Sequence, residues 1–165
     1  MRVLGIDCGS RITGYGVVDT NGSDCLLVRC GTIRSKPSDA LALRLRQIHG
    51  GIVDVIRELE PDVAAFESLF YSNNVQSALK LGHVRGVSLF AAAEANLPVF
   101  EYSPLEVKSA VTGYGRAEKL QVQRMVRALL KLEIAPEPFD ASDALAVAIC
   151  HVHSSRFNKA IAASL

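Results

Sequence analysis

The pattern of apolar and polar positions predicts that three strands come first and that helices and strands then alternate. Three short runs rich in Val, Ile, Leu and Thr occupy residues 2–7, 13–19 and 25–33, and the turn residues Gly9-Ser10 and Asn21-Gly22 separate them. Runs of this kind predict strands joined by tight turns. The alternation that follows predicts an α/β fold, a mixed sheet flanked by helices, with the first strand at its centre.

Apolar residues at three- and four-residue steps from Leu41 to Ile56 predict a long helix with Ser38 as its N-cap and an end at Pro61. Gly50-Gly51 within it predicts a kink or a close approach by another element. Ser103 followed by Pro104 predicts the start of another helix. Further strands are expected at 63–67 and 98–102, and further helices over 75–95, 117–132 and 140–153.

Length and composition predict one domain of 165 residues, with a core over about residues 1–155 and a short C-terminal tail. Neither a run of ~18 apolar residues nor a signal-type segment is visible, so we expect a cytoplasmic protein without a membrane partner. The four cysteines form no C-x-x-C pair, which favours reduced thiols. Cys150, His151 and His153 lack a second ligand pair, which disfavours zinc.

The positive charge is concentrated in the middle of the chain. Residues 72–131 hold 8 basic and 4 acidic side chains, whereas residues 1–71 hold 8 and 9 and residues 132–165 hold 2 and 4. A basic face in the middle segment is suited to a polyanion such as nucleic acid. A solvated helical surface with scattered lysines is the alternative on charge alone.

Four carboxylates lie where predicted elements begin or end. Asp7 closes VLGID, Glu67 closes VAAFE, and Asp140 and Asp143 open DASDALAVAIC. An acid that ends a buried strand lies at the rim of the sheet, held rigidly within reach of solvent. Convergence of several such acids would suit Mg²⁺, although each acid taken alone also fits a helix cap or a solvated strand end.

Together the four acids could hold two divalent ions about 4 Å apart, as in-line phosphodiester hydrolysis requires. No Ser-His-Asp or Cys-His arrangement occurs at a recognisable spacing. The turn in GIDCGS suggests a competing interpretation, since sugar kinases and actin-like ATPases begin with a similar strand, acid and glycine turn. Those proteins are typically longer and two-lobed, and no second phosphate turn is evident in this sequence.

Several longer strings resemble, in order, the RuvC family of Holliday-junction resolvases over about residues 1–155. They are GIDCGSRITGYGVV, ALALRLRQI, ESLFYSNNVQSALKLGHVRGV, PVFEY, VKSAVTGYGRAEKLQVQRMVRALLKL and DASDALAVAICH. The resemblance implies an RNase H-like fold with a mixed five-stranded sheet, a homodimer, and paired symmetric nicks in a four-way DNA junction. It also implies two Mg²⁺ ions for each active site, replaceable by Mn²⁺, and the RuvA–RuvB branch-migration complex as a partner.

By the same resemblance, Asp7, Glu67, Asp140 and Asp143 match the catalytic acids of the family. Phe70 corresponds to an aromatic residue that stacks on junction bases, and the helix over 75–95 falls where the family makes its dimer contact. The cationic side chains expected near DNA are Lys108 and Lys119, followed by Arg11, Lys80, Arg85, Arg116 and Arg124.

The sequence departs from the family pattern at Cys8, where the opening turn usually has proline. Proline would stiffen the turn by fixing φ, so its replacement is expected to loosen the turn without abolishing activity. A thiol at this position could also bind softer ions such as Zn²⁺. Two other functions stay open beside junction cleavage: an RNase H-like nuclease that trims RNA, and a junction-binding module without catalysis.

Overall fold

Five strands form one mixed β-sheet in the order β3-β2-β1-β4-β5. The computed structural model describes residues 1–22, 24–68 and 75–162, with side chains described up to residue 155. The strand bounds are Arg2–Asp7 (β1), Ile12–Thr20 (β2), Cys25–Arg34 (β3), Val63–Glu67 (β4) and Val99–Tyr102 (β5). Strands β1 to β3 pair antiparallel, whereas β1, β4 and β5 run parallel. The predicted mixed sheet with a central first strand is confirmed.

Helices cover both faces of this sheet, because alternate residues of each strand point to opposite sides. The helices span Leu41–Leu59 (α1), Val75–Glu94 (α2), Pro104–Thr112 (α3), Lys119–Leu129 (α4) and Phe139–Ala162 (α5). On β1, Leu4 and Ile6 belong to the core shared with α1 and α2. Val3 belongs to the core shared with α3, α4 and α5. The two apolar clusters are thus separated by the sheet.

Glycines in β1 and β2 let the N-terminal half of α5 lie directly on the sheet. A Cβ atom added at Gly14 would lie 1.9 Å from the carbonyl oxygen of Asp140, and one at Gly5 would lie 2.1 Å from that of Ala144. No side chain fits in these spaces, so the helix backbone contacts the strand backbone. This contact brings the start of α5, with its two acids, to the end of β1.

The predicted helix ends are partly confirmed. Ser103 caps α3, since its hydroxyl accepts from the Glu106 N–H and the Glu106 carboxylate accepts from the Ser103 N–H. Ser38 is not the N-cap of α1, which begins at Leu41. The N–H of Asp39 bonds to the carbonyl of Lys36 at 3.0 Å, which places Ser38 in a turn before the helix.

Two further expectations about helices can be compared with the structure. The predicted close approach at the double glycine is confirmed at Gly51, where a Cβ atom would lie 2.7 Å from a methyl carbon of Ile33. The last helix extends to Ala162 rather than His153. No helix within the described ranges is both long enough and apolar enough to cross a membrane.

Candidate active site

Two of the four predicted acids lie at the ends of neighbouring parallel strands. Asp7 is the last residue of β1 and Glu67 is the last residue of β4. Because the carboxyl ends of parallel strands meet at one edge of a sheet, both side chains lie at that edge. Asp143, in the first turns of α5, reaches the same edge because the helix lies directly on β1 and β2.

Asp7, Glu67 and Asp143 line a single cavity of about 130 Å³. Its remaining wall consists of two cationic and three apolar side chains: Lys108, Lys119, Val107, Val122 and Ala146. The cations come from α3 and α4, so residues from five separate elements meet in this space. Carboxylates beside ammonium groups on an apolar floor form a site suited to a charged phosphate substrate and a cation.

A larger cleft of about 500 Å³ lies between α1 and α2, but it lacks a cluster of acids. Its one carboxylate, Glu94, is 2.7 Å from His49 Nε2, and the His49 ring stacks on Phe90 with centroids 5.7 Å apart. Paired groups of this kind leave no set of converging ligands. The smaller cavity therefore carries the chemistry that the acids predict.

Asp140 occupies a different position from the other three acids. It lies in the first turn of α5, beside the cavity rather than in its wall, with its backbone carbonyl against Gly14. It is near enough to raise the pKa of Asp7, although its effect is smaller than those of Glu67 and Asp143. The structure thus brings three acids together and holds the fourth close by.

Crowding of carboxylates changes their proton affinities. Burial, followed by the charges of Glu67 and Asp143, raises the pKa of Asp7 from 3.8 to about 7, against an opposing effect of Lys119. Burial and then Asp143 also raise the pKa of Glu67, while Lys119 and Lys108 oppose this rise. The cavity therefore holds more negative charge than its two lysines compensate, which favours binding of a further cation.

Lys119 is the cation most closely engaged with the acids. Its Nζ lies 3.0 Å from Asp143 Oδ2, and this hydrogen bond is the main cause of the raised pKa of the lysine. The Lys119 side chain is 70% exposed, whereas that of Asp143 is 22% exposed. An ion pair so open to water contributes little to stability, but it holds the carboxylate in place.

The donors fit Mg²⁺ by their chemistry, since all are hard carboxylate oxygens. Among the residues that the structure describes, no three His, Cys, Asp or Glu side chains converge as a ready metal cage. Mg²⁺ normally uses only one or two protein carboxylates and completes its shell with water and substrate phosphates. An open set of acids at a cavity mouth agrees with that mode of binding.

The predicted DNA-contacting cations lie in different surroundings. Lys108 and Lys119 line the cavity. Four others are exposed, on the β1–β2 turn, α2, the α3–α4 turn and α4 respectively: Arg11, Lys80, Arg116 and Arg124. Phe70, the predicted stacking residue, lies outside the described residues.

Arg85 departs from the sequence expectation of a surface contact with phosphate. Only 10% of its side chain is exposed, because it lies on the inward face of α2. One guanidinium nitrogen donates to the Glu67 carbonyl at 2.5 Å, and the other lies 2.8 Å from Glu101 Oε2. The helical periodicity, which turns Val84 and Arg85 inward together, overrides the general preference of arginine for the surface.

The residues considered for soft-metal binding have other contacts. Burial raises the pKa of the Cys8 thiol to about 11, and its hydrogen-bond partner is Ser88 of α2. Such a thiol is protonated at neutral pH, which disfavours the Zn²⁺ binding suggested for this position. His151 Nδ1 is bonded to the Tyr102 hydroxyl at 2.8 Å, and His153 Nδ1 lies 2.9 Å from the Ala110 carbonyl.

Tyr114 is a candidate binding residue that the sequence interpretation treated only as part of a helix break. Its side chain is 60% exposed on the α3–α4 turn, between two glycines and next to Arg116. Thr112 Oγ1 accepts from the Tyr114 N–H at 3.1 Å and lies 2.9 Å from the Lys108 carbonyl, so the turn is tied to the cavity wall. An aromatic ring between glycines in the basic segment was the available signal.

A family model described as crossover junction endodeoxyribonuclease RuvC matches residues 3–151. The chain belongs to the RuvC family. Among the relatives of this RuvC-family chain, the crossover junction endodeoxyribonuclease RuvC of Koribacter versatilis is 53% identical over 156 residues, or 94% of each chain. That of Shewanella pealeana is 52% identical over 160 residues, covering 97% of this chain and 91% of the relative.

Solved structures agree with this assignment. The Thermus thermophilus RuvC structure matches this RuvC-family chain with a TM-score of 0.87 and 35% identity, over 96% of this chain and 97% of the other. T. thermophilus RuvC in complex with Holliday junction substrate gives 0.87 and 34%, over 95% and 96%. The family resemblance and the fold predicted from it are confirmed.

Proposed function

We propose that this RuvC-family chain resolves four-way DNA junctions by Mg²⁺-dependent phosphodiester hydrolysis, with Asp7, Glu67, Asp140 and Asp143 as the acids of its active site. The observation that carries the proposal is the shared cavity, in which three of these acids meet two lysines at the sheet edge. Paired symmetric nicks would leave 5′-phosphate and 3′-hydroxyl ends, which can be ligated.

The role of the metal follows from the chemistry of the acids. Bound Mg²⁺, with two ions as the proposed number, would stabilise charge on the scissile phosphate and lower the pKa of the attacking water. Asp7, Glu67 and Asp143 would hold it, with Asp140 beside them. Lys119 keeps Asp143 in place and lowers the pKa of Asp7 and Glu67, so more of both acids is ionised at neutral pH.

Nucleic acid is the substrate class that the surface around the cavity favours. Lys108 and Lys119 stand at its mouth, and Arg116 and Arg124 extend the positive charge over the α3–α4 side. Cations placed this way would attract the phosphates on either side of the scissile bond. A module that only binds junctions would gain nothing from acids held against the phosphates.

The proposed DNA face also includes the ring of Tyr114. An exposed aromatic side chain stacks on a base or sugar and contributes about 1–3 kcal/mol per base. Tyr114→Ala is therefore expected to weaken junction binding by about 10-fold, while Tyr114→Phe retains it. Binding is measured by gel shift in EDTA, so that cleavage does not interfere. Equal weakening by both variants would show that the hydroxyl rather than the ring is used.

A homodimer with α2 at its interface is the proposed assembly. The outward face of α2 carries Leu79 and Phe90, which are 60% and 57% exposed, on either side of Gly82 and Gly86. Large apolar side chains beside glycines allow a second helix to approach closely and bury them. Phe90→Glu should shift the protein to monomer in sedimentation analysis, whereas Leu26→Glu, at an exposed position on β3, should not.

The RuvA–RuvB branch-migration complex is proposed as the partner on the strength of the family resemblance, with the cytoplasm as the place of action. The proposal predicts that adding this complex changes which junction positions are cut without being required for cutting. The test is to map nicks on a mobile four-way junction with and without it. Identical nick positions at equal rates would count against the partnership.

One assay separates the three candidate functions. Labelled four-way junction, plain duplex and RNA are each mixed with the protein, with and without Mg²⁺, beside Asp7→Asn. Symmetric nicks in the junction alone, lost in the variant while junction binding persists, are expected. Equal cutting of RNA or duplex would instead favour another RNase H-like nuclease, and binding without Mg²⁺-dependent cutting would favour a junction-binding module.

A further inference from the structure

Helix α2 contacts the residues at the ends of both strands that carry acids. Its inward face is buried and includes Val84, Arg85 and Ser88. Arg85 and Ser88 are three positions apart, so they lie on the same side of the helix. The cavity acids stand on the far side of these strand ends, so α2 lies behind the site rather than in it.

The Arg85 guanidinium joins two strands at this point. It donates to the carbonyl of Glu67 at 2.5 Å, and its guanidinium carbon lies 5.9 Å from the centroid of the Phe66 ring. It also lies 2.8 Å from the Glu101 carboxylate, which belongs to the neighbouring strand β5. The arginine therefore ties the end of β4, where Glu67 begins to leave the sheet, to both α2 and β5.

Ser88 makes the second contact, one turn further along α2. It is fully buried, donates to the Val84 carbonyl at 2.8 Å, and is the hydrogen-bond partner of the Cys8 thiol. Cys8 directly follows Asp7. One face of α2 thus contacts the backbone of one cavity acid and the chain neighbour of the other.

A buried arginine is costly unless it is paired. Desolvation of a guanidinium amounts to several kcal/mol, and an apolar side chain of similar volume normally packs as well or better. The nitrogen of Arg85 that faces Glu101 is buried and lacks a well-aligned hydrogen bond among the described residues. Packing alone does not account for a charge at this position, whereas a fixed donor to the Glu67 carbonyl does.

We propose that Arg85 is a positioning residue for junction cleavage, which sets the end of β4 so that the Glu67 carboxylate faces Asp7 across the cavity. The inference rests on the proposed function of the acids. Arg85 acts through the backbone of Glu67 and contacts neither substrate nor metal. Misplacement of a reacting group by about 1 Å can lower a rate about 100-fold, so loss of this contact should act on the chemical step.

The test compares Arg85→Met, Arg85→Lys and Glu101→Gln with the wild type. Arg57→Met serves as the matched control, since Arg57 pairs with Asp54 on the surface of α1 and is 77% exposed. Four quantities are measured: the single-turnover cleavage rate at saturating protein, the Mg²⁺ concentration for half-maximal rate, junction affinity in EDTA, and the rise in melting temperature on adding Mg²⁺.

Arg85→Met is expected to lower the single-turnover rate about 100-fold and to leave junction affinity within about 3-fold of wild type. The half-maximal Mg²⁺ concentration should rise, and the Mg²⁺-induced rise in melting temperature should shrink. Arg85→Lys, which keeps the charge and one donor, should recover at least about 10-fold of the rate. Glu101→Gln should cut faster than Arg85→Met, because it leaves the contact with Glu67.

Two results would overturn this inference. One is cleavage by Arg85→Met at the wild-type rate; the other is a loss of junction affinity above about 10-fold with the saturated rate kept, as for a phosphate contact. If Arg85→Met does not fold, an unchanged rate in Arg85→Lys at unchanged Mg²⁺ dependence decides against it. Failure of the proposed function is distinguishable, because Asp7→Asn would then cut the junction as the wild type does.

Discussion

Replacing Asp7 by asparagine is expected to stabilise the metal-free protein at neutral and alkaline pH. Asp7 is held beside Glu67 and Asp143 at a largely buried strand end, so its ionised form is repelled by both. Asparagine has nearly the same shape and no charge. The variant that should abolish cleavage is therefore also expected to be the more stable protein, as is common where active sites store unfavourable charge.

The magnitude follows from the pKa. The pKa of Asp7 is about 7 in the folded chain against an ordinary 3.8. Each tenfold change in proton affinity corresponds to about 1.4 kcal/mol, so ionised Asp7 costs about 4 kcal/mol of unfolding free energy. Because the folded pKa is raised, the protonated acid carries no such cost below pH 3.8. The cost grows as pH rises through this interval and is complete above about pH 7.

The assay is urea unfolding in EDTA at fixed protein concentration from pH 4 to pH 9. The variant should exceed the wild type by an amount that grows from near zero at pH 4 to a plateau above pH 7. Asp54→Asn, on the exposed surface of α1, is the control and should change stability by less than about 0.5 kcal/mol at every pH. Added Mg²⁺ should narrow the difference by stabilising the wild type.

The result that would refute the reasoning is equal stability of Asp7→Asn and wild type across this pH range. Repulsion among the acids would then be relieved by some other means, and the case for a cation in the cavity would lose its electrostatic basis. A constant difference that does not depend on pH would also contradict it, because a packing effect has no reason to follow the titration of a carboxyl group.

Three further predictions concern neighbouring parts of the structure. Lys119→Met should raise the pKa of the site carboxyls, so the rise of cleavage rate with pH should move to higher pH; an unchanged pH–rate profile would contradict this. Gly14→Ala places a Cβ atom 1.9 Å from the Asp140 carbonyl and should lower unfolding free energy by more than about 2 kcal/mol in urea titration, whereas Gly50→Ala meets nothing within 4 Å and should not. Cys8 should react far more slowly with a thiol reagent in the native state than in urea, because burial raises its pKa to about 11; equal rates would count against a buried thiol.

Much of the fold follows from local patterns. The strand runs, the turn residues between them and the helical periodicity predict the sheet with β1 at its centre, because residues that alternate or repeat every three to four positions can bury one face only in those conformations. The helix starts were less predictable. Ser103 caps a helix and Ser38 does not, since an N-cap serine and a turn serine carry the same local signal.

For the site, the sequence by itself determined which residue types stand at the ends of elements: Asp7, Glu67, Asp140 and Asp143 could be named, and their convergence expected, from the sequence alone. Only the tertiary structure decided that three of them share a cavity with Lys119 while Asp140 lies beside it. That arrangement depends on the close approach of α5 to glycines in β1 and β2, a contact between residues far apart in the chain. Arg85 illustrates the same limit, because its charge is visible in the sequence, whereas its burial behind Glu67 depends on how α2 packs against the sheet.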